Sequence, residues 1–404
     1  MHVPVLMYHS ISDNDRWLWG HLSCPVRVFE DHIRALAESR FTPISLTEMH
    51  AHQCHGTALP QNPIVLTFDD GYLDNWVFAY PILKRYGFKG TVFANPDFVD
   101  PGGTLRPNLD DATAGEVARL SLNSTGFLSW PEMAAMQSSG VMDIQSHALT
   151  HTWHFCDRRI VDWHRPGGPY PWLAWNARPE RKHLWLNEDQ AAFVPFGAPV
   201  YVHERALVAR RYLPDPRLAD ALAHEVAKHG GAGFFLEPGW QRVLSELGDR
   251  YRSHNQVDER WESDQDYESR VRHELDASKS MIEANLGKQV RFLCWPGGGY
   301  TETTERIARE VGYIAATLSS TDSRRSHAGA GYIVRWGVPT MSHGGNTMYR
   351  SGQYVVHMLR CRQGDKWSCI QCKLLTGYDI AWSAGQAAIR SAHVRIPGRS
   401  GSRH

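Results

Sequence analysis

The sequence predicts an α/β fold that carries a large insertion, and three observations predict it. Short apolar segments alternate with segments of helical periodicity through residues 1–156. The same alternation resumes over 264–350. Between them, 157–263 changes character, opening on the Trp-, Pro- and Gly-dense tract WHRPGGPYPWLAWNARP and continuing with helical pieces. At 404 residues and 42% hydrophobic content, the chain can bury a large core, as one α/β barrel with excursions or as two ordinary domains.

Taken in order, residues 3–7 form a short apolar strand that ends in Tyr8-His9-Ser10, and 25–39 places Val28, Ile33, Leu36 and Ala37 at helical spacing. Residues 64–68 read as a second strand, 74–86 as a helix with Val77, Phe78, Ile82 and Leu83 on one side, and 91–94 as a third strand. This strand–helix–strand order is a βαβ unit. Residues 98–123 are a polar excursion. Ser129 with Glu132 is a capping-box pattern that starts a helix to residue 137, and Gly140 closes it. The strand 141–145 then runs into SHALTHTWH.

Within the insertion, helical patterns cover 203–212, 216–229 and 238–247. Beyond it follow a long helix at 267–286, a strand at 290–293, a loop at 295–300, a helix at 303–311 stopped by Gly312, and strands at 313–317 and 333–336. Residues 351–404 make a C-terminal extension with an element at 354–360, a helical run at 379–391 and a flexible tail.

Composition narrows the function. The formal net charge is zero and no long basic block occurs, which removes the electrostatic case for a nucleic-acid partner. The start MHVPVLMYHS has neither a basic leader nor a long apolar run, and no stretch has the roughly 18 apolar residues of a membrane span. The expected location is the cytoplasm, or peripherally the inner face of its membrane. Seven cysteines, an odd number, do not form a disulfide framework and fit a reducing compartment; Cys369 and Cys372, with Cys361 nearby, are at most half of a zinc knuckle. Fifteen tryptophans, many beside Pro or Gly, point to aromatic-lined loops.

The chemistry centres on LTFDDGYLDN, residues 66–75, where an apolar strand ends in two adjacent carboxylates. Such a pair costs solvation and repulsion unless a cation, a proton or a partner compensates it. It lies where the C-terminal ends of parallel strands present reactive groups. His147 and His151 follow another strand at a spacing that lets both imidazoles reach one divalent cation. One carboxylate with two neutral imidazoles is a common ligand set that leaves positions open for water and substrate. The second carboxylate then serves as a base, and together these are the means of amide or ester hydrolysis.

With TFDDG at 67–71, His147-Ala-Leu-Thr-His151 and the CWPGG loop at 294–298, in that order, and with YHS at 8–10 near the start, the chain resembles the polysaccharide deacetylases, the NodB-homology carbohydrate esterases. The resemblance implies a distorted (β/α)7-type barrel that removes N-acyl groups from amino sugars with one divalent metal ion, expected to be Zn2+. Carried over by motif position, Asp69 is the catalytic base and Asp70, His147 and His151 are the metal ligands. Trp295, Gly297, Gly298 and Tyr300 belong to a wall of the sugar groove, with Tyr72 and His9 as further pocket residues. Arg335, in IVRWGV, resembles the arginine that holds the catalytic aspartate, and His343, in TMSHGG, takes the place of the general acid, with His357 as a rival.

Two departures stand out: Ala148 where many members have Ser or Thr, and Cys294 where many have an arginine. The implied function is hydrolysis of the N-acetyl or N-formyl amide of an amino sugar in a surface-glycan precursor. The alternatives are a metal-dependent hydrolase of a non-sugar amide or ester, and a carbohydrate-binding protein on a decayed deacetylase barrel.

Overall fold

The computed structural model describes residues 3–13, 22–111, 122–338 and 351–377. His343, the run 379–391 and the tail lie outside them.

Parallel strands form the central sheet in the order Tyr332–Ile333, Ala315–Thr317, Phe292–Leu293, Met142–Ser146, Gly90–Ala94, Pro63–Asp69, Val5–Tyr8 and Trp336–Gly337. The two ends of that list are halves of one segment. Tyr332–Ile333 pairs with Ala315–Thr317 at one edge and Trp336–Gly337 pairs with Val5–Tyr8 at the other. The sheet therefore closes on itself as a distorted (β/α) barrel whose seventh stave is split at Val334 and Arg335.

Alternation along each stave decides what points inward. Val65, Phe93, Phe292 and Ile333 form the inner cluster, whereas Leu66, Phe68, Val92 and Ile144 face the surrounding helices. Two residues on from Val65, Phe292 and Ile333, the same inward rows continue through Thr67 to Asp69, to Cys294 and to Arg335. The barrel interior is thus apolar at one end and polar, with ionisable groups, at the other.

The apolar end is plugged by Ile44, Leu46 and Met49, which pack on Val3, Val5 and Val65. Leu46 and Met49 belong to the helix Leu46–His55, an element absent from the sequence expectations. Its signal was present, since Ser45 and Glu48 form a capping box with the Ser45 backbone N–H donating to Glu48 Oε2 at 2.7 Å.

The insertion differs from its mainly helical expectation in one respect. Trp153–Trp163 and Pro199–Arg205 form an antiparallel hairpin, with Trp153 opposite Arg205 and Trp163 opposite Pro199. Residues 203–212, expected as helix, are instead the end of that strand, a turn and the short strand Tyr212–Leu213. Val200 and Tyr201 are buried against partners more than 35 residues earlier in the chain, a pairing that local periodicity cannot reveal. The helices Pro216–Lys228 and Trp240–His254 follow, closing a small core of Leu218, Leu222, Val226, Trp240 and Leu244.

The cysteine reading is also corrected. Cys361 and Cys369 are joined by a disulfide, which takes Cys369 out of a knuckle with Cys372. Such bonds persist in oxidising surroundings, so this one runs against the expectation of a reducing compartment. No helix among the described residues is long and apolar enough to cross a membrane.

The C-terminal helix Gly352–Arg362 buries Val355, Val356 and Leu359 in the main core and lies on the helix Val26–Glu38. Gly352 makes that approach possible: a Cβ there would overlap the Asp31 carbonyl oxygen and come within 2.6 Å of Ala35 Cβ. Gly352→Ala should therefore separate the two helices and cost about 1–3 kcal/mol. Chemical denaturation reads this directly, and wild-type stability in G352A would refute the close-packing account.

Candidate active site

Asp69 ends its strand on the inward face and is buried. Asp70 and Gly71 both take left-handed backbone conformations, φ 72° and 68°, which turn the chain sharply out of the strand. For a residue with a Cβ this costs roughly 1–2 kcal/mol. Ala148 and His151 share the strain, at φ 58° and 41°. Three of the five described non-glycine residues with positive φ thus sit at one site, where surrounding contacts must hold them.

Those contacts are visible. Asn95, just beyond the strand Gly90–Ala94, donates its amide to the carbonyl oxygens of His147 and, at 3.3 Å, Ala148. Ser146 Oγ accepts from the Ala148 N–H at 3.1 Å and bonds Ser278 Oγ at 2.7 Å. Thr150 donates its N–H and hydroxyl to Glu274 at 3.1 and 2.7 Å, while its carbonyl accepts from Lys182 Nζ at 3.1 Å. Asn95, Glu274 and Lys182 were not anticipated. Of the three, only Asn95 carried a signal, its place at the end of an inner strand.

The histidine loop so held brings His147 Nε2 and His151 Nε2 each to 3.3 Å from Asp70 Oδ1. The Nδ1 of His147 donates to the Cys294 carbonyl oxygen at 2.8 Å, and although burial works against the charged imidazole, Cys294 and Asp70 hold it well above its ordinary value, so Nε2 also carries a proton toward Asp70, one that a bound cation would displace. Burial pushes His151 down to about 4 despite Asp70, which leaves it neutral near pH 7. Burial works against the ionised Asp70, but its hydrogen bond to His147 and the nearby His151 outweigh this and hold the carboxyl well below its usual range.

This donor set fits a small divalent cation. Bonds of about 2.0–2.1 Å in a tetrahedral site imply ligand–ligand edges of roughly 3.3–3.4 Å. Asp69, His147 and Cys294 form a second cluster of possible donors. The Arg335 guanidinium, 3.0 Å from Cys294 Sγ, opposes any cation there.

Arg335 projects from the break in the closing stave and grips Asp69 with both terminal nitrogens, at 2.6 Å to Oδ1 and 2.8 Å to Oδ2. Cys294 Sγ lies 3.5 Å and His9 Nε2 3.8 Å from Asp69 Oδ2. Burial presses the Asp69 carboxyl upward; Arg335 first, then His147 and His9, reverse this and keep it below the ordinary value. Asp69 is therefore ionised at neutral pH.

All of this opens into a cavity of about 460 Å³. His9, Tyr72, Trp295, Gly297 and Gly298 line it. Tyr300 stands behind, its ring centroid 5.6 Å from that of Trp295 and its hydroxyl donating to Asp322. His357 bonds Ser368 at 3.2 Å on the C-terminal helix and does not line the cavity. Trp153, which opens the hairpin, and Trp175 and Trp185 of the insertion supply an aromatic wall. Gly297 is required here, because a side chain at its φ of 55° would meet Arg205 Nε at 2.7 Å.

A candidate divalent-metal cluster beside a buried carboxylate, at the mouth of a parallel barrel, defines the class of a metal-dependent hydrolase. The family model described as polysaccharide deacetylase matches residues 56–180 and 216–316, more than half of the chain, and the chain belongs to that family. Bacillus subtilis YxkH, named for the same family, is 36% identical over 91 residues, 22% of this chain and 31% of YxkH. The Escherichia coli K12 poly-β-1,6-N-acetyl-D-glucosamine N-deacetylase is 24% identical over 119 residues, 30% of this chain and 16% of that protein. The similarity therefore spans a third or less of each of these relatives. Among solved structures, the de-N-acetylase of Aggregatibacter actinomycetemcomitans is 18% identical with a TM-score of 0.48, over 82% of this chain and 93% of that one. The BpsB deacetylase domain of Bordetella bronchiseptica is also 18% identical, with a TM-score of 0.49 over 83% and 95%.

Asp74 completes the double-aspartate motif and positions its surroundings. It accepts from Ser10 Oγ at 2.5 Å, the Ile11 N–H at 3.0 Å and Asn75 Nδ2 at 2.8 Å, and Asn75 also holds the His9 carbonyl at 2.9 Å. No cation pairs with Asp74 among the described residues, and burial raises its carboxyl to about 6. The folded state then binds a proton that the unfolded chain releases near pH 4. The resulting stabilisation is complete below the unfolded value and is lost as pH rises through about 6. Asp74→Asn, which mimics the protonated form, should remove that dependence. Compared by urea titration in chelator, wild type should lose roughly 3 kcal/mol relative to D74N between pH 4 and 7. Parallel pH profiles would show that Asp74 does not carry this proton.

Proposed function

We propose that this protein hydrolyses the N-acetyl or N-formyl amide of an amino sugar in a surface glycan or its precursor, with Asp69 as the base. The carrying observation is the pairing of two differently compensated carboxylates at one strand end: Asp69 on Arg335, and Asp70 between His147 and His151.

Asp70, His147 and His151 would hold the ion, with zinc favoured by a compact N,N,O donor set. When bound, it supplies Lewis acidity to the scissile carbonyl and the attacking water. Asp69 is held ready to accept the water's proton. Arg335 fixes both carboxylate oxygens and keeps them ionised. Family order assigns protonation of the leaving amine to His343, outside the described residues.

The groove supports a sugar. Trp153, Trp175, Trp185 and Trp295 offer broad apolar faces beside a small number of polar groups, the pattern that binds a pyranose ring. The name of the Escherichia coli relative, an N-deacetylase of a poly-amino sugar, agrees with this substrate class.

Asp69→Asn should lower acyl release by a factor on the order of 10³ while bound metal stays at the wild-type level. His147→Ala should lose the metal itself. Acetate and formate assays on amino-sugar oligomers, paired with elemental analysis, separate the two effects. Normal turnover by D69N would sink the proposed base, and full metal content in H147A would sink the ligand set.

A further inference from the structure

A second cavity, about 550 Å³, lies within the excursion and against the barrel. It is separate from the catalytic cavity but shares a wall with it. Trp175 lines both, and the histidine loop divides them, Thr150 facing one and His151 the other. Trp172, Trp175 and Tyr201 give it large aromatic surfaces.

Its charges are unevenly compensated. Lys182 Nζ donates to Asp97 at 2.8 Å, Thr150 donates twice to Glu274, and Arg217 binds Asp215. Arg211 is different. Its Nη2 donates to His154 Nε2 at 2.7 Å, which requires a neutral imidazole, and its buried Nε has no hydrogen-bond partner. No carboxylate lies within salt-bridge distance of this guanidinium among the described residues. Glu262 and Glu274 act on this cation only from beyond salt-bridge distance, and a partly buried guanidinium without a direct carboxylate partner favours an incoming anion at its cavity-facing side.

We propose that this cavity is a second saccharide subsite that takes a sugar bearing an anionic group, stacked on the Trp172–Trp175 wall with its charge at Arg211. The subsite rests on the amino-sugar reading above. It would hold an anionic saccharide independently of the acylated sugar in the catalytic cavity, from which the histidine loop divides it.

The test reads binding without turnover, so its failure is distinct from failure of the deacetylase reading. D-glucuronic acid, glucose 6-phosphate and glucose are titrated into the full-length protein and into the Asp69→Asn variant, with calorimetry and tryptophan fluorescence as readouts. Wild type and D69N should both bind an anionic sugar at least about tenfold more tightly than glucose. Glucuronate and glucose 6-phosphate distinguish a carboxylate from a phosphate as the preferred group. Arg211→Gln should erase the preference. Ala219→Trp, a change at a half-buried position lining the cavity, should block binding of all three sugars there while leaving metal content intact. The proposal is overturned if no anionic sugar binds, if glucose binds equally well, or if both R211Q and A219W bind glucuronate and glucose 6-phosphate as wild type does.

Discussion

The bidentate pair between Asp69 and Arg335 is the interaction on which the rest of the site depends. Two neighbouring buried carboxylates cannot both remain ionised without separate compensation. Arg335 compensates one of them from the closing stave, one strand beyond Val5–Tyr8, and it can do so because it stands at the break in that stave. A buried pair of this kind gains little net stability, since desolvation offsets most of the attraction. Its value lies in fixing one orientation. Barrel closure and the orientation of Asp69 are the same structural event.

The other carboxylate is compensated differently, and its compensation draws on the excursion. Asp70 faces two imidazoles carried on a strained loop, and that loop is held from three directions: Asn95 on the neighbouring stave, Glu274 on a barrel helix and Lys182 on the inserted segment. Arg205, at the end of the inserted hairpin, packs on the glycine loop at Gly297. The inserted residues thus do more than cover a groove. They brace the two loops that shape it, and their tryptophans form its wall.

The parts legible in sequence were those encoded by short-range spacing. The strand-end aspartates and the histidine pair stood out because each motif abuts an apolar strand, and the structure brings Asp70, His147 and His151 together. Arg335 could be read only through its resemblance to the family's aspartate-holding arginine, in a strand-like segment late in the chain. The hairpin Trp153–Trp163 with Pro199–Arg205 was misread because its partners are distant in sequence and its short-range pattern is ambiguous. Lys182 and Glu274 were invisible for a related reason. A charged residue on a helical pattern is ordinarily a solvated one, and only tertiary packing turns these two inward.

The two departures from the family pattern bear on whether the site is catalytic or decayed. Ala148 lacks a hydroxyl, yet the bonds that hold its loop run through backbone carbonyls to Asn95 and through its own N–H to Ser146. They do not need a side chain at 148. Cys294 likewise orients His147 through its carbonyl oxygen, a group every residue has, while its small thiol leaves room for the Arg335 guanidinium to reach Asp69. An arginine at 294 would compete for that space, and here Arg335 brings the guanidinium from another stave. Sugar binding alone does not require a charge-compensated carboxylate beside a candidate cation site, which favours a hydrolase over a remnant.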